Sequence, residues 1–229
     1  MNGLFQVPGI KLPQFYNPET LNIFCDASIT GKGYNTTGCY GVVAVTEDNI
    51  IETEYKLVSH TTSNNSELKG LRCALSMANK YKDQFRFINI FSDSQISVFG
   101  LRDYIYNWRY NPKDNRLYGS AGKPIINQEI FIECHGILMQ LGTYPNCIIR
   151  LFHQSGHIDN GYDNLKKAAS VFGSSNNVRG NIDLNFIRYI STYNNFVDST
   201  SRSYLRRANK KLTYCDPIEF EPRGRINRY

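Results

Sequence analysis

Apolar and polar positions along this chain change period several times, and each change marks an element. Residues 21–26, 39–46 and 50–58 carry the β-branched and aromatic residues of strands, separated by the Gly-containing TGKGYNTTG and the short acidic TEDN. Links this short predict an antiparallel meander of three strands. Over 66–81, Leu68, Leu71, Leu75 and Ala78 recur every three or four positions, and TTSNN just ahead of them supplies capping side chains, so a helix is expected. A strand at 88–92 and a helical stretch at 94–108 follow. RYNPKDNRLYGSAGKP, basic and containing Gly and Pro, reads as an exposed loop, leading to a helix at 126–141 and a strand at 147–153. Three strands, a helix, a strand, two helices and a strand together predict an α/β domain whose five-stranded mixed sheet is flanked by helices.

Beyond 153 the pattern is less regular. NLKKAASVF and LNFIRYIS flank the polar GSSNNVRGN, and a last helix is expected over 195–211. The first twenty residues, with Pro8, Pro13 and Pro18, read as an extended arm, and the tail from 213 to 229 is basic without a firm pattern. The boundaries expected are therefore an arm at 1–20, one domain at 21–212 and the tail. A chain of 229 residues is long enough to bury a single core of that size.

Composition narrows the class. The sequence contains no run of about 18 apolar residues, and its start, MNGLFQVPGIKLPQF, lacks a basic segment followed by an apolar one. Neither a membrane span nor a secretory signal is expected, and the reading is a cytoplasmic, monomeric protein. The six cysteines are scattered through apolar patterns without CxxC pairs, and read as reduced small hydrophobes. Net charge is +6, and its placement is more telling. Arg102, Arg109, Lys113, Arg116 and Lys123 outnumber the acids of 100–124, and eight basic residues outnumber Asp216, Glu219 and Glu221 over 202–229. Concentrated positive charge suits a polyanion, nucleic acid first.

Candidate chemistry starts from a near repeat. NIFCDAS at 22–28 returns as NIFSDSQ at 89–95, each running a strand pattern into an aspartate, Asp26 and Asp93. Parallel neighbours joined by a crossover bring these ends to one edge of a sheet, about 4.8 Å apart, where two carboxylates repel unless a cation or proton lies between them. Glu67 is expected in the first turn of the 66–81 helix, and Asp198 in the first turn of the last helix. Taken singly, such acids are turn formers or helix caps. As a set of hard oxygen donors, without a Cys pair, they point to Mg2+ or Mn2+ and away from zinc.

In order along the chain, IFCDAS, TTSNNSELKGL, IFSDSQ with GLRDYIYNW, KPIINQEIF, and HQSGH with NNFVDSTSR closely resemble the blocks of type 1 ribonuclease H. The resemblance covers 21–157 and then 194–208. It implies the RNase H-like fold and an endonuclease that cuts the RNA strand of RNA:DNA hybrids with two Mg2+ ions, leaving 5′-phosphate and 3′-hydroxyl ends. By motif the metal-binding and catalytic acids are Asp26, Glu67, Asp93 and Asp198, with His157 helping proton movement or product departure and His153 a weaker candidate. Substrate contacts implied are Ala27 and Ser28 through their backbone, Thr62 on a DNA phosphate, Gln95 on the hybrid's minor groove, and either Ser63 with Asn64 or Asn64 with Asn65. Asn194 takes the asparagine position of NxxxD. Tyr104 and Trp108, expected on one helical face, would join the basic stretch as a DNA-strand groove.

Three departures from the family pattern matter, the first a SNNSE segment one residue shorter between its asparagines and Glu67 than in some relatives, which leaves the paired roles open. Ala27 replaces the usual glycine, and residues 158–193 form an insertion beside the site that a protein partner could contact. The insertion also holds Asp159, Asp163 and Asp183, which compete with Asp198 for the fourth acidic role. Transposase or resolvase relatives explain the acids but not TTSNNSE or DSQ, and a non-catalytic hybrid-binding module is the alternative of a different kind.

Overall fold

The computed structural model describes residues 18–31, 36–47, 49–159, 161–178 and 180–214, with side chains to 208. Most of the expected N-terminal arm, and the tail from 215 onward, lie outside the described residues. Strands β1 (Thr20–Thr30), β2 (Thr37–Thr46) and β3 (Asn49–Ser59) form the meander, followed by α1 (Ser63–Tyr81), β4 (Phe87–Ser92) and the short α2 (Gln95–Phe99). Then come a small hairpin of β5 (Arg109–Asn111) and β6 (Arg116–Tyr118), α3 (Gln128–Gly142), β7 (Ile148–His153), α4 (Tyr162–Asn176) and α5 (Leu184–Tyr214). The main sheet has the order β3-β2-β1-β4-β7, antiparallel across β1, β2 and β3 and parallel across β1, β4 and β7. This is the mixed five-stranded sheet expected.

Parallel pairing in strict register turns the NIF echo into rungs. Asn22, Asn89 and Arg150 are level across β1, β4 and β7, and Phe24, Phe91 and Phe152 form the next rung on the same face. Their rings stack at 4.9 and 5.2 Å, and the stack continues into Tyr193 of α5 at one end and Phe172 of α4 at the other. Each such pair contributes about 0.5–1.5 kcal/mol beyond its burial. Leu165, Ala168, Phe186, Ile187, Ile190 and Val197 complete this core. On the opposite face Leu21, Ile23, Ile88, Ile90 and Leu151 meet Leu68, Leu71 and Leu75 of α1 and Leu138 of α3.

The expected 158–193 insertion is thus α4 and the opening turns of α5, laid over the aromatic face of the sheet. Its corner is tied to the body through Arg102, whose guanidinium donates to Asn176 Oδ1 at 2.9 Å and Ser175 O at 2.7 Å. Asn176 in turn brackets the end of β7, accepting from His153 N–H at 2.9 Å and donating to His153 O at 2.7 Å. Among the described residues no helix is long and apolar enough to cross a membrane.

Several local expectations are corrected. The last helix is one rod from Leu184, not a separate element over 195–211, because Phe186, Ile190, Val197 and Leu205 keep one buried stripe and neither Gly nor Pro interrupts it. Asp198 is consequently mid-helix and not in a first turn. Helix α1 begins at Ser63, capped by the Thr62 side chain, so Glu67 also falls beyond the first turn. The 94–108 stretch is not one α-helix: α2 passes into a π turn at Gly100–Tyr104 and a 3-10 turn at Ile105–Asn107. Tyr104 and Trp108 therefore do not share a helical face; Trp108 packs edge-on against Phe131, whereas Tyr104 is exposed. Finally, β1 runs through Asp26 instead of ending there, and the 109–124 loop contains the β5–β6 hairpin.

Candidate active site

Two positions beyond the phenylalanine rung, β1 and β4 place Asp26 and Asp93 on the next level of the same face, beyond the last parallel pair. Asp26 is still paired to Gly41 of β2, and that glycine is required by close approach: a Cβ there would collide with the Tyr55 ring and lie 2.8 Å from Ser201 Oγ of α5. The bare position lets α5 settle onto the sheet at the level of Asp26. Three residues before Ser201 on the same helix, Asp198 then faces the same cleft. From the other side, α1 delivers Glu67, whose Oε1 accepts from Ser63 Oγ at 3.0 Å.

These four acids line one open cleft of about 620 Å³, together with Ala27, Ser28, Ile29, Thr30, Ser63, His157, Arg202, Leu205 and Arg206. Asp26 is only 6% exposed, and its Oδ1 accepts from the Ala27 N–H at 2.6 Å. Burial, then the charge of Asp93 and more weakly those of Asp198 and Glu67, push its carboxyl up to about 8. Asp93 is likewise raised, by burial first and then by Glu67, against the lowering effect of its bond from Asn194. That bond, Asn194 Nδ2 to Asp93 Oδ2 at 3.3 Å, is oriented from behind by Gln154, whose Nε2 donates to Asn194 Oδ1 at 2.7 Å. Gly156 passes so close that a Cβ there would collide with the Asp93 carboxylate.

Asp198 is held by its neighbours. Its Oδ1 accepts from Ser28 Oγ at 3.1 Å and from Arg202 Nε at 2.8 Å, and its Oδ2 lies 3.6 Å from His157 Nδ1. His157 is exposed and adopts left-handed backbone geometry at φ 51°, a conformation disfavoured for a residue with a Cβ. Arg202 Nη2 stands 3.1 Å from its Nε2. None of the rival acids of the insertion lines the cleft. Asp159 accepts from Gly161 N–H and Asn164, Asp183 accepts from Asn185 N–H at the start of α5, and Asp163 is exposed in the first turn of α4.

The other expected contacts are placed as follows. Ala27, Ser28 and Ser63 line the cleft, while Thr62 and Asn64 are exposed at the mouth of α1 beside it. Asn65 is committed elsewhere, accepting from Thr61 Oγ1 and donating to Asn127 Oδ1, while Ser63 donates to Glu67 and lines the cleft. Gln95 is exposed at the start of α2, and Asn194 is buried behind Asp93. Tyr104 and Trp108 do not line the cleft. His153 is buried against Phe99, and burial lowers its pKa. Sequence reading did not single out Gln154, and it took Arg202 and Arg206 only as part of the basic 202–229 segment. Gln154 was findable in principle, since it stands two residues past Phe152 as Asp26 and Asp93 stand past their phenylalanines.

As a donor set, four carboxylates at one cleft fit hard divalent cations. The elevation of Asp26 by the Asp93 charge supports that fit, because a cation between them would remove the repulsion that helps keep a proton there. As the side chains lie, no group of three or more His, Cys, Asp or Glu among the described residues forms a ready-made cage, and Asp198 would have to exchange Arg202 for a cation.

Comparisons with known proteins agree with this architecture. The family model described as RNase H matches residues 18–165. Ribonuclease HI of Haemophilus influenzae is 34% identical over 116 residues, a match covering 50% of this chain and 68% of that protein. Among solved structures, the protease–reverse transcriptase of prototype foamy virus superposes with a TM-score of 0.51 at 14% identity, over 79% of this chain and 23% of that one. The foamy viral enzyme in complex with an RNA/DNA hybrid gives the same TM-score over 73% of this chain and 21% of that one. At such identities these likenesses speak to the fold. The family match stops short of Asp198, so that residue's place rests on the geometry of α5.

Proposed function

The chain belongs to the RNase H family, and on that premise we propose that it is an endoribonuclease hydrolysing the RNA strand of RNA:DNA hybrids with two Mg2+ ions, leaving 5′-phosphate and 3′-hydroxyl ends. The observation that carries this reading is the carboxylate rung of Asp26 and Asp93, joined in one cleft by Glu67 and Asp198. Those four residues would hold the cations, Mn2+ substituting for Mg2+. When bound, the cations would activate a water and stabilise the departing 3′ oxygen.

The chain's own groups supply position. Asn194, fixed by Gln154, aims the Asp93 carboxylate, and Ser28 aims Asp198. His157, exposed at the mouth between Asp198 and Arg202, is placed to carry a proton between the cleft and solvent. Selection of RNA falls to groups that can bond a 2′-hydroxyl: the backbone at Ala27 and Ser28, the Ser63–Asn64 pair, and Gln95. The basic β5–β6 hairpin, with Arg109, Lys113 and Arg116, stands ready for the DNA strand.

The test is cleavage of an end-labelled hybrid in Mg2+ with the ends analysed. Asp93→Asn is expected to abolish cutting and spare hybrid binding. Equal cutting of double-stranded DNA, or full activity in that variant, would overturn the assignment; binding without cutting in the unaltered protein would favour a hybrid-binding module instead.

A further inference from the structure

The cleft does not end at the carboxylates. Along α5 the residues Asp198, Arg202 and Arg206 recur every four positions and all line it, one step round the helix from the buried stripe of Val197, Ser201 and Leu205. Four residues advance a helix by about 6 Å, so the stripe carries one acid and two guanidiniums outward at the scale of successive phosphates on a strand. Facing them, β1 continues past Asp26 through Ser28, Ile29 and Thr30, which form the opposite wall. Ile29 is 43% exposed there.

The two arginines differ in how their charge is occupied. Arg202 is committed to Asp198 and stands against His157. Arg206 is exposed, donates only a long bond of 3.4 Å to Arg202 O, and forms no ion pair among the described residues. From 199 to 214 the helix holds Arg202, Arg206, Arg207, Lys210 and Lys211 and no acid. An uncompensated cation over one end of a cleft whose floor is anionic is suited to a ligand that brings negative charge to that end while cations neutralise the floor.

We propose that Arg206, with Arg202 inward of it, forms a phosphate subsite that grips the RNA strand beyond the scissile position, a subsite created by the uninterrupted length of α5. This rests on the reading of the cleft as a hybrid nuclease. The strand it holds is the RNA, because the stripe begins at Asp198, where the scissile phosphate must lie, and the DNA strand falls toward the β5–β6 hairpin.

The experiment measures hybrid binding by fluorescence anisotropy in the cleavage-silent Asp93→Asn background, with Arg206→Gln and Arg206→Lys added, and with single neutral methylphosphonates placed along either strand. Arg206→Gln is expected to weaken binding about five- to tenfold and to reduce the salt dependence by about one counterion, with Arg206→Lys restoring most of both. One or two neutral linkages next to the cleavage point in the RNA strand should weaken the background protein but cost the Arg206→Gln protein nothing further. Unchanged affinity and salt slope in Arg206→Gln, or a sensitivity that pairs with the DNA strand, would overturn the subsite while leaving the nuclease reading intact. Failure of the unaltered protein to bind or cut any hybrid would overturn both.

Discussion

Replacing Asp26 by asparagine should make the metal-free protein more stable, although it removes a residue placed at the centre of the cleft. In the fold this carboxyl sits at about 8, against an ordinary value near 4, because burial and the Asp93 charge oppose its ionisation. The folded state therefore keeps a proton that the unfolded chain releases, and the protein loses stability as pH rises from about 4 to about 8. A displacement of four units corresponds to on the order of 5 kcal/mol at the alkaline end. Asparagine keeps an acceptor for the Ala27 N–H but carries no charge, and Asp93 relaxes in part, so the expected gain at pH 8 is about 2–4 kcal/mol. For a chain of this size that is a rise in Tm of roughly 5–12 °C. The assay is thermal or urea unfolding in EDTA at pH 5, 6, 7 and 8, repeated with excess Mg2+. The unaltered protein should weaken steeply along the series and recover with Mg2+, by binding linkage; the variant should show a shallower slope and little response. A variant no more stable than its parent at pH 8, with the same pH slope, would refute the reasoning by showing that the two carboxylates do not oppose one another.

Arg150 is buried at 8% exposure, has no ion pair among the described residues, and rests over the Phe87 ring at 4.8 Å, so Arg150→Met should raise stability by about 1–2 kcal/mol in urea unfolding. Asn176→Ala removes bonds to His153 N–H, His153 O, Phe172 O and Arg102, at an expected cost of about 2–4 kcal/mol, with amide exchange accelerated across α4 ahead of the remaining helices. Asp198→Asn should reduce hybrid cleavage to background, whereas Asp163→Asn should cleave as the unaltered protein does; the opposite pattern in the same assay would reassign the fourth acid.

The near repeat of NIFCD and NIFSD was legible in the chain because a strand has one period, two, and parallel neighbours keep register. Once β1 and β4 lie side by side, equal spacing makes asparagine, phenylalanine and aspartate rungs inevitable. The meander, α1 and the site of β7 were readable for the same local reason. The 94–108 stretch was not, because its departure into π and 3-10 turns follows from packing against α3, where a Cβ at Gly100 would collide with the Phe131 ring. Nor was the union of α5 into one rod: the polar STYNN at 191–195 looks like a break until Ser191 and Asn194 are seen buried beneath it.

By itself, then, the amino-acid order determined which strands carry the acids and at what level, since that depends on alternation within a few residues. Where Glu67 and Asp198 meet them, that Asp159, Asp163 and Asp183 stay outside, and that Arg202 and Arg206 extend the cleft were decided only when two distant helices docked on the sheet. Those outcomes depend on packing between residues far apart in the chain, more than a hundred positions for α5, down to the missing Cβ of Gly41 that lets α5 close on the Asp26 rung. No local period encodes such a contact.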